Sequence, residues 1–206
     1  MDEDFKHIFI QGDASLPVLL LLHGTGGDEQ DLVELGRAVS PASSILSVRG
    51  KVSENGMPRF FRRLADGVFD QEDLKLRTDE LADFITDARI RYRFGNQPVI
   101  ALGYSNGANI AASLLLARSE VLQGAILLRA MVPFEPKTLP DLNGKNILIL
   151  SGLMDPIIPA DNSQKLASLL QTAGAAVDIR MKPAGHNLTQ SDFSDIKNWI
   201  VKETAA

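Results

Sequence analysis

The sequence predicts an α/β fold with a mainly parallel central sheet flanked by helices. Three observations carry that expectation. Strand-like and helix-like segments alternate along all 206 residues. Val18–Leu22 is a continuous apolar run, the pattern of a strand covered on both faces. A second apolar run, 98–102, passes through Gly103-Tyr104-Ser105-Asn106-Gly107 into the helical pattern of 108–118.

Taken in order, residues 5–10 read as an edge strand and Val18–Leu22 as a central one. Helical spacing over 31–39 precedes a short strand, Ser44–Val48. The stretch 70–92 places Leu74, Leu81, Phe84 and Ile85 on one helical face. Strand 99–102 and helix 108–118 follow, then strand candidates 125–128, 146–150 and 177–181. Helices Ala160–Thr172 and 191–202 complete the pattern. Two linkers resist it. Residues 49–69 mix Gly, Pro and charges with Phe60, Phe61 and Phe69, and 129–144 are proline-rich. Both follow a strand, so both should emerge on the same sheet edge as Ser105. Neither is long enough for a cap, so a single domain over 1–206 with a fairly open site is expected.

Composition narrows the function. A net charge of −5, with no basic stretch interleaved with aromatics, argues against nucleic acid and anionic membrane surfaces as partners. The absence of cysteine excludes disulfides, thiolate metal sites and a thiol nucleophile. The acidic start, Met1-Asp2-Glu3-Asp4, lacks the basic and apolar regions of a secretion signal, and no apolar run is long enough for membrane insertion. A cytoplasmic location is the expectation. His7, His23 and His186 show no metal-ligand spacing, so neither metal nor cofactor is expected.

The Gly-x-Ser-x-Gly turn between strand and helix has the form of a nucleophile elbow. Glycines on either side let strand and helix approach closely, and the serine takes a strained conformation at a helix N-terminus, where developing negative charge is favoured. A serine nucleophile needs a base, and the base an orienting carboxylate, in the chain order Ser, acid, His. His186 is the one histidine after Ser105. A lone loop histidine is ordinarily a surface residue; its place after the last strand, behind Gly185, makes it the base once the elbow is accepted. Asp155, beyond the strand 146–150, is the preferred acid, against its reading as a turn aspartate before Pro156. Asp161 looks like a helix N-terminal residue, and Asp178 sits within a strand.

The oxyanion hole should combine the backbone N–H of Asn106 with one from His23-Gly24-Thr25-Gly26-Gly27, and Thr25 is the choice there. His23 is read as holding that loop, not as the base. A phosphate-binding reading of the same glycines is disfavoured by Glu29, which stands at the third glycine position of G-x-G-x-x-G. Phe60, Met131 and Met154 are the candidates for the substrate-binding wall, with core packing equally open to Phe60. Trp199 is assigned to the core.

In order across nearly the whole chain, Leu22-His23-Gly24-Thr25-Gly26-Gly27-Asp28-Glu29, Gly103-Tyr104-Ser105-Asn106-Gly107, Ser151-Gly152-Leu153-Met154-Asp155-Pro156-Ile157-Ile158-Pro159 and Ala184-Gly185-His186 resemble the phospholipase/carboxylesterase family of small α/β-hydrolases, relatives of acyl-protein thioesterases. Arg59-Phe60-Phe61-Arg62-Arg63 is similar to a segment of a bacterial subgroup, some members of which are associated with quinone stress. The resemblance implies the α/β-hydrolase fold without a large cap, a small-molecule carboxylic ester or thioester substrate, no cofactor, often a homodimer, and Ser105, Asp155 and His186 as the triad. Asn106 departs from the glutamine common after the nucleophile, and Thr25 from the apolar residue common in the thioesterase branch; preference for lipidated proteins is thereby weakened. The reading from sequence is a serine carboxylesterase. The alternatives are an acyl thioesterase or lysophospholipase, and a non-catalytic hydrolase-fold protein that binds a small aromatic ligand.

Overall fold

The computed structural model describes residues 4–65 and 67–204; the first three residues of the acidic start, residue 66 of the first linker and residues 205–206 lie outside them. In chain order the elements are β1 (His7–Ile10), β2 (Val18–Leu22), α1 (Val33–Val39), β3 (Ser44–Val48), β4 (Val52–Glu54), β5 (Met57–Arg59), β6 (Arg63–Ala65), β7 (Val68–Phe69), α2 (Gln71–Arg91), β8 (Val99–Tyr104), α3 (Asn106–Ala117), β9 (Gly124–Leu128), β10 (Asn146–Gly152), α4 (Ala160–Thr172), β11 (Ala176–Lys182) and α5 (Gln190–Thr204).

Among the described residues seven strands form one sheet in the order β1-β3-β2-β8-β9-β10-β11. β1 runs antiparallel to β3, and every other pairing in the sheet is parallel. The expected fold class is therefore the observed one. Strand side chains alternate between faces. Val18, Leu20 and Leu22 of β2 join the core beneath α2, α3 and α4. Leu19 and Leu21 join the opposite core, closed by Leu35 and Val39 of α1 and by Ile196, Trp199 and Ile200 of α5. Each central strand is buried on both sides, which is why it reads as an unbroken apolar run.

Helix ends follow local chemistry. Asp70 caps α2, its side chain accepting the Asp73 N–H at 3.1 Å. Glu72 and Asp73 lie in its first turn and Arg89 and Arg91 in its last, each sign opposing the adjacent dipole end.

The linker 49–69 is not irregular throughout. It folds into two small hairpins, β4–β5 and β6–β7. Asn55 and Gly56 both have positive φ, 53° and 81°, the conformation that a two-residue hairpin turn demands.

The chain leaves β2 toward β3 and then crosses back to β8 on the other side of β2. The crevice between the C-terminal ends of β2 and β8 is thus a switch point, where open parallel sheets place their sites. Leu22 pairs with Gly103, so the loop after β2 and Ser105 emerge side by side. Gly107 makes this possible. A Cβ there would lie against the Leu22 carbonyl, far inside van der Waals contact, with the His23 carbonyl close behind. Gly107→Ala should cost about 3 kcal/mol or more by overpacking against backbone that cannot yield. For a chain of this size that is a fall of about 6–12 °C in Tm, measurable by calorimetry.

Candidate active site

Ser105 stands between β8 and α3 with φ 52° and ψ −113°. This backbone is unfavourable for a residue with a Cβ and persists only where the surroundings hold it. Two bonds hold it here. The Ser105 N–H donates to the Leu128 carbonyl at the end of β9, at 2.8 Å, and the Ser105 carbonyl accepts the Asn109 N–H at 3.0 Å.

Ser105 Oγ lies 2.9 Å from His186 Nε2, and His186 Nδ1 lies 2.8 Å from Asp155 Oδ2. A carboxylate can only accept, so Nδ1 carries the imidazole proton and Nε2 faces the serine as an acceptor. The Asp155 side chain is 1% exposed. Its second oxygen accepts the backbone N–H groups of Ile157 and Ile158, at 2.8 and 3.1 Å, which fixes the carboxylate in its loop. The other acid candidates lie elsewhere. Asp178 is exposed on β11 and pairs with Arg180, and Asp161 lies exposed in the first turn of α4.

The loop carrying His186 is tied from below by Arg129, a residue that the sequence does not signal. Arg129 follows β9 directly, has φ 55°, and is 0% exposed. Its Nε donates to the Gly185 carbonyl at 3.0 Å and one terminal nitrogen to the Asn187 carbonyl at 3.0 Å, the two residues flanking His186. The other terminal nitrogen reaches the Leu150 carbonyl at 3.1 Å. Its charge is met by Asp192, also 0% exposed, at 2.8 Å. Burial pushes the Asp192 pKa up, but the bonds from Arg129 and from the N–H and hydroxyl of Thr189 outweigh it and hold the carboxyl below 3.8. Tyr104 completes the brace, its hydroxyl donating to the His186 carbonyl at 3.2 Å.

The loop after β2 is held as expected. His23 Nε2 accepts the Gly50 N–H at 3.0 Å, so Nδ1 carries the proton and donates to the Gly24 carbonyl at 2.6 Å. Burial is the largest influence on this ring and lowers its pKa below 6.5, against smaller upward pulls from the Gly24 carbonyl, Asp31 and Asp28. Glu29, the residue that disfavours a phosphate loop, forms ion pairs with Arg49 and Lys6.

Around Ser105 lies a cleft of about 240 Å³, lined among others by Thr25, Asn106, Met131 and His186. The Thr25 N–H makes no backbone bond among the described residues, and its hydroxyl accepts from Arg59 at 2.7 Å. Of the three wall candidates, the cleft contains Met131 alone. Phe60 is 2% exposed; its ring packs on His23, and its backbone N–H donates to Asn106 Oδ1 at 2.7 Å. Met154 is 65% exposed and turned outward, and Ile157 and Ile158 of the same loop face the cleft instead. The remaining wall comes from Arg59, Arg63 and Phe69 of the hairpins, with Tyr104 and Asn109 beside Ser105. Asn109 was findable from sequence, being one helical turn after Ser105. The direction of Phe60 was not, because an apolar side chain suits core and wall equally.

Two expectations follow. Arg129→Met should leave Asp192 buried and unpaired and cost about 3–5 kcal/mol, whereas Arg129→Met with Asp192→Leu should recover much of that loss in urea unfolding. His23 is neutral in the fold at pH values where an unfolded chain would protonate it. Its contribution is therefore complete above pH 6.5 and lost as pH falls below 6.5 toward the depressed folded pKa. The stability advantage of the wild type over His23→Gln should shrink across that window; a constant advantage would contradict the buried neutral ring.

Residues 4–204 match the phospholipase/carboxylesterase family. The chain is 49% identical over 194 residues to MhqD of Bacillus subtilis (strain 168), a hydrolase by name, covering 94% of this chain and 96% of that protein. It is similar to the crystal structure of the Bacillus cereus carboxylesterase, with a TM-score of 0.95, 49% identity, and coverage of 98% and 95% of the two chains. It is also similar to Atu2452 of Agrobacterium tumefaciens str. C58, a protein of unknown function, with a TM-score of 0.89, 38% identity and 96% of each chain covered. With its mainly parallel sheet and helices on both faces, the chain belongs to the phospholipase/carboxylesterase family of α/β-hydrolases.

Proposed function

We propose that this protein is a serine carboxylesterase acting on small carboxylic esters through an acyl-enzyme, with Ser105 as nucleophile, His186 as general base and acid, and Asp155 as the group that orients the imidazole. The observation that carries this reading is the unbroken hydrogen-bond chain from Ser105 Oγ through His186 to Asp155 Oδ2. Ser105 Oγ attacks the ester carbonyl carbon as its proton passes to His186 Nε2. The carbonyl oxygen gains the negative charge and is received by the N–H groups of Asn106 and Thr25, each such donor being worth roughly 3 kcal/mol. His186 returns the proton to the departing alcohol. Water then attacks the acyl-enzyme by the same route, freeing the acid and restoring Ser105.

The cleft supports small substrates. Its apolar wall is Phe69, Met131, Ile157 and Ile158, and its volume is about 240 Å³. Each buried methylene contributes roughly 0.8 kcal/mol only while the wall can cover it. One observation favours a second reading, an acyl thioesterase or lysophospholipase. Leu153 and Met154, on the loop that supplies Ile157, are 56% and 65% exposed and offer apolar surface to a longer chain.

Ser105→Ala should lower kcat by about 10⁶-fold with the fold retained, and a fluorophosphonate probe should label the wild type alone. Labelling of the alanine variant would sink the serine mechanism. EDTA should leave turnover unchanged. With p-nitrophenyl esters from acetate to palmitate, below their micellar concentrations, kcat/KM should rise over the first few carbons and then level or fall. A steady rise to long chains would instead favour the thioesterase or lysophospholipase reading.

A further inference from the structure

Helix α3 buries an almost wholly apolar face, with Ala108, Ile110, Ala111, Ala112, Leu114 and Leu115 all at 0% exposure. Its first turn also buries two asparagines, Asn106 and Asn109, at 2% and 5% exposure. Both use the amide in the same way. Asn106 Oδ1 accepts the Phe60 N–H, and Asn109 Oδ1 accepts the Met131 N–H at 2.8 Å. A backbone N–H can only meet an acceptor, so in each case the oxygen is identified and Nδ2 is the other end of the amide. Neither Nδ2 has a hydrogen-bond partner among the described residues. Asn106 Nδ2 is fully enclosed, whereas Asn109 Nδ2 is not, and Asn109 lines the cleft with Ser105 and Met131.

An unclaimed donor on a residue this buried calls for a reason. Clipping Met131 needs only the oxygen of Asn109, a task that an aspartate would perform equally. The two N–H bonds of Nδ2 are left over, in the cleft, one helical turn from the nucleophile. Ser105 and Asn109 line one cleft of about 240 Å³, so an acyl group held on Ser105 shares that cleft with Asn109.

We propose that Asn109 is a specificity residue whose Nδ2 donates to an acceptor oxygen on the acyl part of the substrate. Resting on the esterase reading above, this defines the substrate class as short esters with a hydroxyl, keto or carboxylate oxygen two or three carbons beyond the ester carbonyl. Beside the apolar side of the cleft, Phe69, Met131, Ile157 and Ile158, such an oxygen loses water that the Asn109 amide can replace. Among the described lining residues there is no carboxylate to repel an anionic acceptor; the charged ones are Arg59 and Arg63, both paired with Glu54.

Hydrolysis of ethyl butanoate, ethyl 3-hydroxybutanoate, ethyl 3-oxobutanoate and monoethyl succinate, followed by pH-stat, tests this. In the wild type at least one oxygen-bearing ester should exceed ethyl butanoate in kcat/KM by about tenfold. The largest ratio distinguishes a neutral from an anionic acceptor. Asn109→Asp keeps the oxygen that holds Met131 and removes the donor, so the ratio should collapse toward one or below. A general effect on turnover cancels in the ratio for the neutral esters, and the ratio for monoethyl succinate, which a new carboxylate would lower by repulsion alone, is read in Asn109→Leu. If Asn109→Asp does not fold, Asn109→Leu is read by the same ratio. Equal kcat/KM for all four esters in the wild type, or a ratio unchanged in a folded variant, would overturn the assignment. Failure to hydrolyse any of the four would instead overturn the esterase reading on which it rests.

Discussion

The buried pair of Arg129 and Asp192 is the interaction on which the geometry around Ser105 depends. Both side chains are wholly enclosed, so neither charge has water to fall back on. The guanidinium gives its remaining donors to three carbonyls on two segments: Gly185 and Asn187 around His186, and Leu150 in β10. One residue earlier, the Leu128 carbonyl holds the Ser105 N–H. The end of β9 thereby sets the elbow and the histidine loop against each other, although it contributes no reacting group. The loop of Asp155 joins the same frame, since the Leu153 and Met154 N–H groups donate to the Lys182 and Ala184 carbonyls. A rigid support of this kind is what keeps a reactive constellation in register.

A second set of ties runs to the cleft walls. The Phe60 N–H is clipped to Asn106, the Met131 N–H to Asn109 and the Val132 N–H to Asn162. Each clip is one asparagine oxygen on the first turn of a helix, α3 or α4, taking one N–H from a linker that enters no central strand. The linkers are thus positioned by helix ends that are themselves fixed by the sheet.

What the sequence made legible divides along physical lines. The central strands were plain because a strand buried on both faces shows as an unbroken apolar run, and β2 and β3 were read to the residue. The helix N-terminal to the elbow, α2, was plain from the spacing of Leu74, Leu81, Phe84 and Ile85. The hairpins between β3 and α2 were not, because strands of two or three residues have no room for a period. Their one legible mark, Asn55-Gly56, is a strong turn signal that the longer patterns obscured. In the candidate site, Ser105, Asp155 and His186 were picked out by residue type at strand ends, and the fold brings the three side chains into one hydrogen-bonded chain. Phe60 and Met154 as wall residues could not be read securely, since apolarity carries no direction; the fold turns one inward and the other outward. Arg129 gave no warning at all. A single arginine after a strand has no pattern, and its significance comes only from which carbonyls surround it.

The separate pairing of the hairpins also bears on how such a molecule can change over generations. The hairpins β4–β5 and β6–β7 bond internally as separate two-stranded sheets, outside the seven-stranded one. Arg59, Arg63 and Phe69, which face the cleft, are carried there. Replacing or resizing those segments would remodel what the cleft admits while leaving the seven-stranded sheet and the Arg129 brace in place, within the limit set by Phe60 and Phe61, which lie between the hairpins and belong to the core. What the cleft admits could thus change through the hairpins, with Ser105, Asp155 and His186 kept as they are.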